Sequence, residues 1–147
     1  MEAQEDPRRS SCGTTEVATA IQHRLLVADD EEIIRQRLVE LGGKMNFAVT
    51  AASDGDEAWK LFQKDPPDLV VLDIYMPRIN GLTVLHHIKG IRPDCPVILI
   101  TGFLQYEQLI QRDKVKPDGF IIKPFHSEKL ANLMADLVRR KHPDYQF

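Results

Sequence analysis

The sequence predicts a doubly wound α/β fold, in which helices cover both faces of a parallel sheet. The first observation is that five short apolar runs alternate with segments of helical pattern along most of the chain. The second is that the apolar runs are nearly continuous, as expected for strands that are buried on both faces. The third is size, because 147 residues with 43% hydrophobic content provide one core and are too few for two ordinary domains.

Each predicted strand is a short apolar run, and each predicted helix lies between or after the strands. The strands are predicted at residues 25–28, 47–49, 69–72, 97–100 and 120–122. The helices are predicted at residues 32–41, 56–64, 82–89, 105–112 and 128–140. Turn and cap residues place the boundaries: we expect Gly42-Gly43 to follow the first helix, Gly90 to follow the third, and Ser127 to cap the last.

The chain ends and the composition restrict the classes of function. Residues 1–22 are polar and lack periodicity, which predicts a flexible N-terminal extension before a domain at 23–141 and a short tail at 142–147. The net charge of -3 gives no general attraction to nucleic acid or to an anionic membrane. No apolar run approaches the roughly 20 residues of a membrane span. Cys12 and Cys95 lack metal-ligand spacing, which favours reduced thiols and a cytoplasmic location.

Acidic residues follow two of the predicted strands. Asp29-Asp30 come directly after the first strand, and Asp73 comes directly after the third. Because parallel strands end at one edge of the sheet, these carboxylates should converge there, where ligands bind in such folds. Their mutual repulsion would raise their pKa values unless a hard cation such as Mg²⁺ lay among them. An isolated Asp pair more often caps a helix, so the prediction depends on the combination with Asp73.

A hydroxyl and an ammonium group are predicted at the same edge. Thr101 ends the fourth strand and Lys123 follows the fifth. A Lys ammonium suits phosphate oxygens, and a Thr hydroxyl can donate to another oxygen of a phosphoryl group. Taken singly, Thr101 could simply end a strand, and Lys123 could only neutralise the acids.

Four segments of the chain together resemble the response-regulator receiver family, in which CheY is the familiar single-domain member. They are LLVADDEE, VVLDIYMPRINGLTVL, PVILITG and FIIKPF, and the resemblance covers roughly residues 24–140. It implies a CheY-like, flavodoxin-like, doubly wound sheet of five parallel strands in the order 2-1-3-4-5, with five helices.

The resemblance also implies a chemical role for each residue at this edge. Asp73 would take a phosphoryl group from a sensor histidine kinase, a phosphotransfer protein or a small phosphodonor. Asp30, Asp73 and the main-chain carbonyl of Tyr75 would ligate Mg²⁺, and Asp29 would position a metal-bound water. Lys123 and Thr101 would hold phosphoryl oxygens, and the Lys123–Pro124 bond would be cis. The protein would be a regulatory phosphoacceptor that catalyses only its own phosphorylation and dephosphorylation.

Two further roles, switching and control of hydrolysis, are implied in the same way. Thr101 and Phe120 would form the switch, although core packing explains Phe120 equally well. Tyr75 and Phe103 occupy the positions that tune hydrolysis, and as bulky aromatics they would restrict water. Output is expected through contact with an effector protein or through pairing of phosphorylated chains, without direct nucleic-acid contact or membrane insertion.

Three alternatives remain open at this level. A haloacid-dehalogenase-like phosphatase requires a second acid two positions after its nucleophile, where this chain has Tyr75. A flavodoxin-like FMN binder requires a phosphate cradle where this chain has Asp29 to Glu32, which would repel phosphate. A phosphorylation-independent interaction module of the same fold is the third.

Overall fold

The computed structural model describes residues 22–146 as a five-stranded parallel sheet with five helices. The strands, β1 to β5, are His23–Ala28, Phe47–Ala52, Leu69–Asp73, Val97–Thr101 and Gly119–Ile122. The helices, α1 to α5, are Glu32–Lys44, Gly55–Lys64, Gly81–Ile91, Gln105–Arg112 and Ser127–Arg139. The strand order is β2-β1-β3-β4-β5, which confirms the predicted fold class. The predicted extension at 1–22, including Cys12, lies outside the described residues except for Gln22.

The strand register decides which strand ends are neighbours. In the centre of the sheet Ala28 of β1 pairs with Leu72 of β3, so Asp29 follows β1 beside Asp73. On the other side Asp73 pairs with Ile100, and Thr101 pairs with Ile122. The carboxyl ends of β1, β3, β4 and β5, together with the residues that follow them, therefore meet at one edge of the sheet.

Two apolar clusters cover the two faces of the sheet. Helices α1 and α5 pack on one face, where Leu38 and Leu130 belong to the same buried cluster as Val27 and Val71. Helices α2, α3 and α4 supply the other cluster. Strands β3 and β4 are buried along their whole length, which explains their continuous apolar sequences. Each fully buried Val, Leu or Ile contributes about 1.5–3 kcal/mol relative to an exposed one.

Three predicted helix boundaries are wrong. Gly42 and Gly43 lie inside α1, which continues to Lys44, and Gly90 lies inside α3. Gly42 serves close packing, because a Cβ there would lie 2.7 Å from side-chain atoms of both Leu25 and Val49. The last helix begins one residue earlier than predicted, so that His126 occupies the N-cap position assigned to Ser127.

The segment after α5 packs on the domain through a buried tyrosine. The Tyr145 side chain is 5% exposed, and its hydroxyl donates a 2.6 Å hydrogen bond to the carbonyl of Met45. Its ring lies 5.2 Å from the ring of Phe47, measured between centroids. Within residues 22–146, no helix has both the length and the apolar character needed to cross a membrane.

Candidate functional site

Three carboxylates converge at the edge predicted from the sequence. One carboxylate oxygen from each of Asp29, Asp30 and Asp73 lies within 4.8 Å of the others. Asp29 and Asp73 are buried, whereas Asp30 is exposed. The short segment between β1 and α1 and the end of β3 therefore provide a compact, partly open group of oxygen ligands.

Asp29 is held in place from several directions. Its backbone N–H donates to the carbonyl of Ala52, and its carboxylate Oδ1 accepts a 2.9 Å hydrogen bond from the N–H of Glu31. The guanidinium of Arg35 donates to the Asp29 carbonyl at 2.8 Å. By contrast, Asp29 Oδ2 is buried and accepts no hydrogen bond from any residue that the structure describes. An oriented, desolvated carboxylate oxygen of this kind is suited to a cation.

Lys123 lies among the acids. Its Nζ is 2.9 Å from Asp29 Oδ2 and 3.3 Å from Asp73 Oδ2, although the geometry with Asp29 is that of an ion pair and not of a hydrogen bond. Nζ also donates a 2.8 Å hydrogen bond to Glu31. The Lys123–Pro124 peptide bond is cis, as the resemblance implied, and the Lys123 N–H donates to the Thr101 carbonyl.

The pKa values of the buried groups follow from this crowding. Burial, followed by the negative charge of Asp29, raises the pKa of Asp73 from 3.8 to about 7. Burial likewise raises the pKa of Asp29. For Lys123 burial acts against the charged form, but the hydrogen bond to Glu31 and the nearby negative charges of Asp29 and Asp73 outweigh it and raise the pKa. The carboxylates of the cluster, when ionised, therefore carry more negative charge than Lys123 can balance.

The donor set fits Mg²⁺. All of the ligand atoms offered are hard oxygens, and Mg²⁺ prefers a few carboxylates together with water over imidazole or thiolate ligands. Asp29 Oδ2 is a buried oxygen without a hydrogen bond from the described residues. A bound divalent cation would also lower the raised pKa of Asp73, because it favours the ionised carboxylate.

Thr101 ends the strand beside the one that carries Asp73, and an exposed aromatic residue lies two positions after each of these strand ends. The Thr101 side chain is fully buried, and its Oγ1 accepts a 3.1 Å hydrogen bond from the N–H of Phe103. Tyr75 and Phe103 are 59% and 45% exposed, and their ring centroids are 5.4 Å apart. Phe120 is half-buried against the cluster formed by α2, α3 and α4. The switch and hydrolysis roles of these four residues remain predictions.

The loop from β3 to α3 approaches the site so closely that glycine is required. Gly81 donates from its N–H to the carbonyl of Ile74 at 2.8 Å. A Cβ on Gly81 would lie 2.3 Å from the carbonyl oxygen of Asp73, and a Cβ on Gly55 would lie 1.7 Å from that of Ile79. Neither distance is compatible with a side chain, so these two glycines fix the path of the backbone around Asp73.

Three residues for which the sequence predicts no role also belong to the site. Glu31 competes with Asp29 for Lys123, Arg35 anchors the Asp29 backbone, and Gly81 permits the close approach of α3. Glu31 could have been suspected from the acidic run that it shares with Asp30. Nothing in the local sequence pattern indicates the contact of Arg35, since it depends on how α1 packs.

Comparisons with known proteins agree with this geometry. Residues 25–135 match the sequence profile of the response regulator receiver domain. The response regulator MprA of Mycolicibacterium vanbaalenii is 35% identical over 121 residues, which are 82% of this chain and 52% of that protein. The MprA protein of Mycobacterium tuberculosis is 33% identical, with 82% and 53% coverage. The chain thus spans about half the length of these curated relatives.

Solved structures give the same result. A response regulator receiver domain protein from Clostridium thermocellum is 28% identical, with a TM-score of 0.75, and the match covers 82% of this chain and 98% of that one. A CheY-like receiver domain protein from Methanospirillum hungatei has a TM-score of 0.78 with coverages of 84% and 99%; at 20% identity it supports the fold alone. The sequence match over most of the chain, together with this fold, shows that the chain belongs to the response-regulator receiver family.

Proposed function

We propose that this receiver accepts a phosphoryl group on Asp73 in a Mg²⁺-dependent reaction. The donor is a sensor histidine kinase or a phosphotransfer protein, and the phosphorylated form signals through contact with a partner protein. The observation that supports this most directly is the convergence of Asp29, Asp30 and Asp73 within 4.8 Å, with Lys123 Nζ in contact with two of them.

In the proposed reaction a carboxylate oxygen of Asp73 attacks the phosphorus atom. The new O–P bond forms an acyl phosphate, while the bond from phosphorus to the donor breaks and its electron pair leaves with the donor. Bound Mg²⁺ would supply charge neutralisation for the carboxylates and the phosphoryl oxygens. Lys123 Nζ lies 3.3 Å from Asp73 Oδ2, so this ammonium group can donate a hydrogen bond to an oxygen of a phosphoryl group on Asp73. Because Thr101 Oγ1 accepts from Phe103, its hydroxyl hydrogen can donate to another phosphoryl oxygen.

The first test is incubation of the purified protein with acetyl phosphate, read by intact-protein mass spectrometry. We expect a labile gain of one phosphate in the wild type that requires Mg²⁺ and is lost with EDTA. Asp73→Asn should gain no phosphate, because a neutral amide lacks the nucleophilic carboxylate oxygen that attacks phosphorus. Asp54→Asn is a matched control, since Asp54 caps α2 through the Glu57 N–H and lies outside the acidic cluster.

The contrary result would favour the alternative of an interaction module that works without phosphorylation. That result is a wild type that gains no phosphate from acetyl phosphate or from a panel of phosphorylated histidine kinases. A gain that persists in Asp73→Asn would instead place the phosphoryl group on another residue.

The exposed aromatic pair is proposed to slow loss of the phosphoryl group. Tyr75 lies two residues after Asp73 and Phe103 two residues after Thr101, and their neighbouring rings would obstruct the approach of water to the phosphoryl group. The double variant Tyr75→Asn, Phe103→Glu should hydrolyse its acyl phosphate roughly tenfold faster, which corresponds to about 1.4 kcal/mol in the barrier. The decay is followed by mass spectrometry after the donor is removed. An unchanged lifetime would refute this role.

Phe120 is proposed to couple Thr101 to the surface formed by α4, β5 and α5. Phe120→Ala should still be phosphorylated but should lose the shifts that phosphorylation induces in the amide NMR signals of α4. Val115→Ala, which shortens another half-buried side chain packed against the same cluster, is the control. Equal shifts in Phe120→Ala and the wild type would show that Phe120 only packs.

We propose that output passes through protein contact at this same surface, in keeping with a cytoplasmic location. On α4 and its N-cap, Leu109 and Leu104 are 48% and 65% exposed, so an effector or a second phosphorylated chain would find apolar side chains there.

A further inference from the structure

We infer that His23, Asp68 and His142 form a binding site for a zinc ion at the end of the sheet opposite Asp73. One potential ligand atom from each residue lies within 4.8 Å of the other two. His23 Nδ1 and His142 Nε2 are each 3.6 Å from an oxygen of Asp68. The two imidazole rings are close as well, with centroids 4.3 Å apart.

These separations suit a metal better than direct hydrogen bonds. Both 3.6 Å distances exceed hydrogen-bond length. Ligands on a tetrahedral zinc ion, with bonds of about 2.0–2.1 Å, are separated by roughly 3.4 Å. A small inward movement of the three side chains would therefore bring one atom from each of them within bonding distance of a zinc ion.

The types of ligand select the metal class. Two imidazoles and one carboxylate favour zinc and neighbouring transition metals over Mg²⁺, which prefers oxygen ligands alone. The His23 and His142 side chains are 15% and 39% exposed, and Asp68 is 33% exposed. The site is thus open on one side, where water can occupy the fourth position of a zinc ion.

The surroundings hold Asp68 in position, and the charge of the neighbouring Arg24 is paired elsewhere. Asp68 Oδ2 accepts a 2.8 Å hydrogen bond from the Arg24 backbone N–H. Hydrogen bonds of this kind, made to a ligand by residues that do not bind the metal, commonly orient metal ligands. The guanidinium of Arg24 is paired with Asp65 at 3.0 Å and donates to the carbonyl of Pro66. Its charge is therefore partly balanced away from the cluster.

A metal here would join three parts of the chain. His23 begins β1, Asp68 immediately precedes β3, and His142 follows α5. The five residues from Asp68 to Asp73 span roughly 17 Å along the strand, so this site is separate from the acidic cluster. The ion would fasten the segment that carries Tyr145, whose ring already packs against His23 with 5.7 Å between centroids.

The test is calorimetric titration of the untagged full chain with zinc sulfate at neutral pH. Excess Mg²⁺ is present throughout, so that zinc does not occupy Asp29, Asp30 and Asp73. We expect saturable binding of one zinc ion per chain. His142→Gln and Asp68→Asn should each weaken binding by about tenfold or more. His126→Gln, which removes an exposed imidazole outside the cluster, should bind as the wild type does.

A second measurement does not depend on any variant folding correctly. Proton NMR of the wild type should show two histidine ring signals that shift or broaden together at one equivalent of zinc. Absence of saturable binding in the wild type overturns the proposal. So does equal affinity in His142→Gln, Asp68→Asn and the wild type, or a loss in His126→Gln as large as in the cluster variants.

Discussion

Without a divalent cation, Asp73→Asn should raise the free energy of unfolding near neutral pH by about 2 kcal/mol or more. The reason is that the wild-type carboxyl is buried beside Asp29, and both features disfavour its ionised form. An amide of nearly the same shape removes the charge and leaves the packing in place. Asp30→Asn is the matched control, because the Asp30 side chain is exposed and should give a smaller gain of the same sign.

The sign of the pH dependence follows from proton binding. The folded chain holds the Asp73 proton up to about pH 7, whereas the unfolded chain releases it near the ordinary value of 3.8. Between these values the folded state binds more protons, so wild-type stability falls as the pH rises through this window. The difference in the free energy of unfolding between Asp73→Asn and the wild type should grow over the same pH range and then level off.

Urea denaturation with EDTA, over a series of pH values, measures this advantage. Added Mg²⁺ should stabilise the wild type above the window and stabilise Asp73→Asn less, because only the wild type offers the Asp73 carboxylate. A pH-independent difference between the two proteins would mean that the Asp73 carboxyl titrates normally. Equal stabilisation of both by Mg²⁺ would contradict its role as a ligand.

Gly81→Ala should destabilise the fold by about 3 kcal/mol and reduce phosphorylation of Asp73. The added methyl group would lie 2.3 Å from the Asp73 carbonyl oxygen and 2.9 Å from the Ile74 Cα, and both contacts are with backbone. The strand end and α3 must therefore separate, which displaces the nucleophile itself. Thermal denaturation and the acetyl phosphate assay measure the two effects.

Gly90→Ala provides the control in the same helix. A Cβ at Gly90 meets no atom within 4 Å, so the substitution should stabilise α3 by about 0.5–1 kcal/mol through the better helix propensity of alanine. If both variants behave alike, helix propensity decides the outcome and the close approach at Gly81 has no cost.

The fold class and the location of the acidic site could be predicted from the sequence because both depend on local pattern. Alternating apolar runs determine which segments are strands, and in a parallel sheet the residues after the strands share one edge. Asp73 ends a strand, and Asp29 and Lys123 each follow one directly, so their convergence required only the correct strand order. The same local reasoning failed at Gly42, Gly43 and Gly90, which resemble helix ends but lie inside helices.

Only the tertiary structure decided contacts between residues that are distant in sequence. The hydroxyl of Tyr145 reaches a carbonyl 100 residues away, and Lys123 meets Glu31 across 92 residues. His23, Asp68 and His142 likewise share no sequence motif, and they meet because β1 and β3 are neighbours and α5 returns beside them. Pattern specifies each element, but strand register and helix packing bring particular side chains together, and those depend on the whole chain.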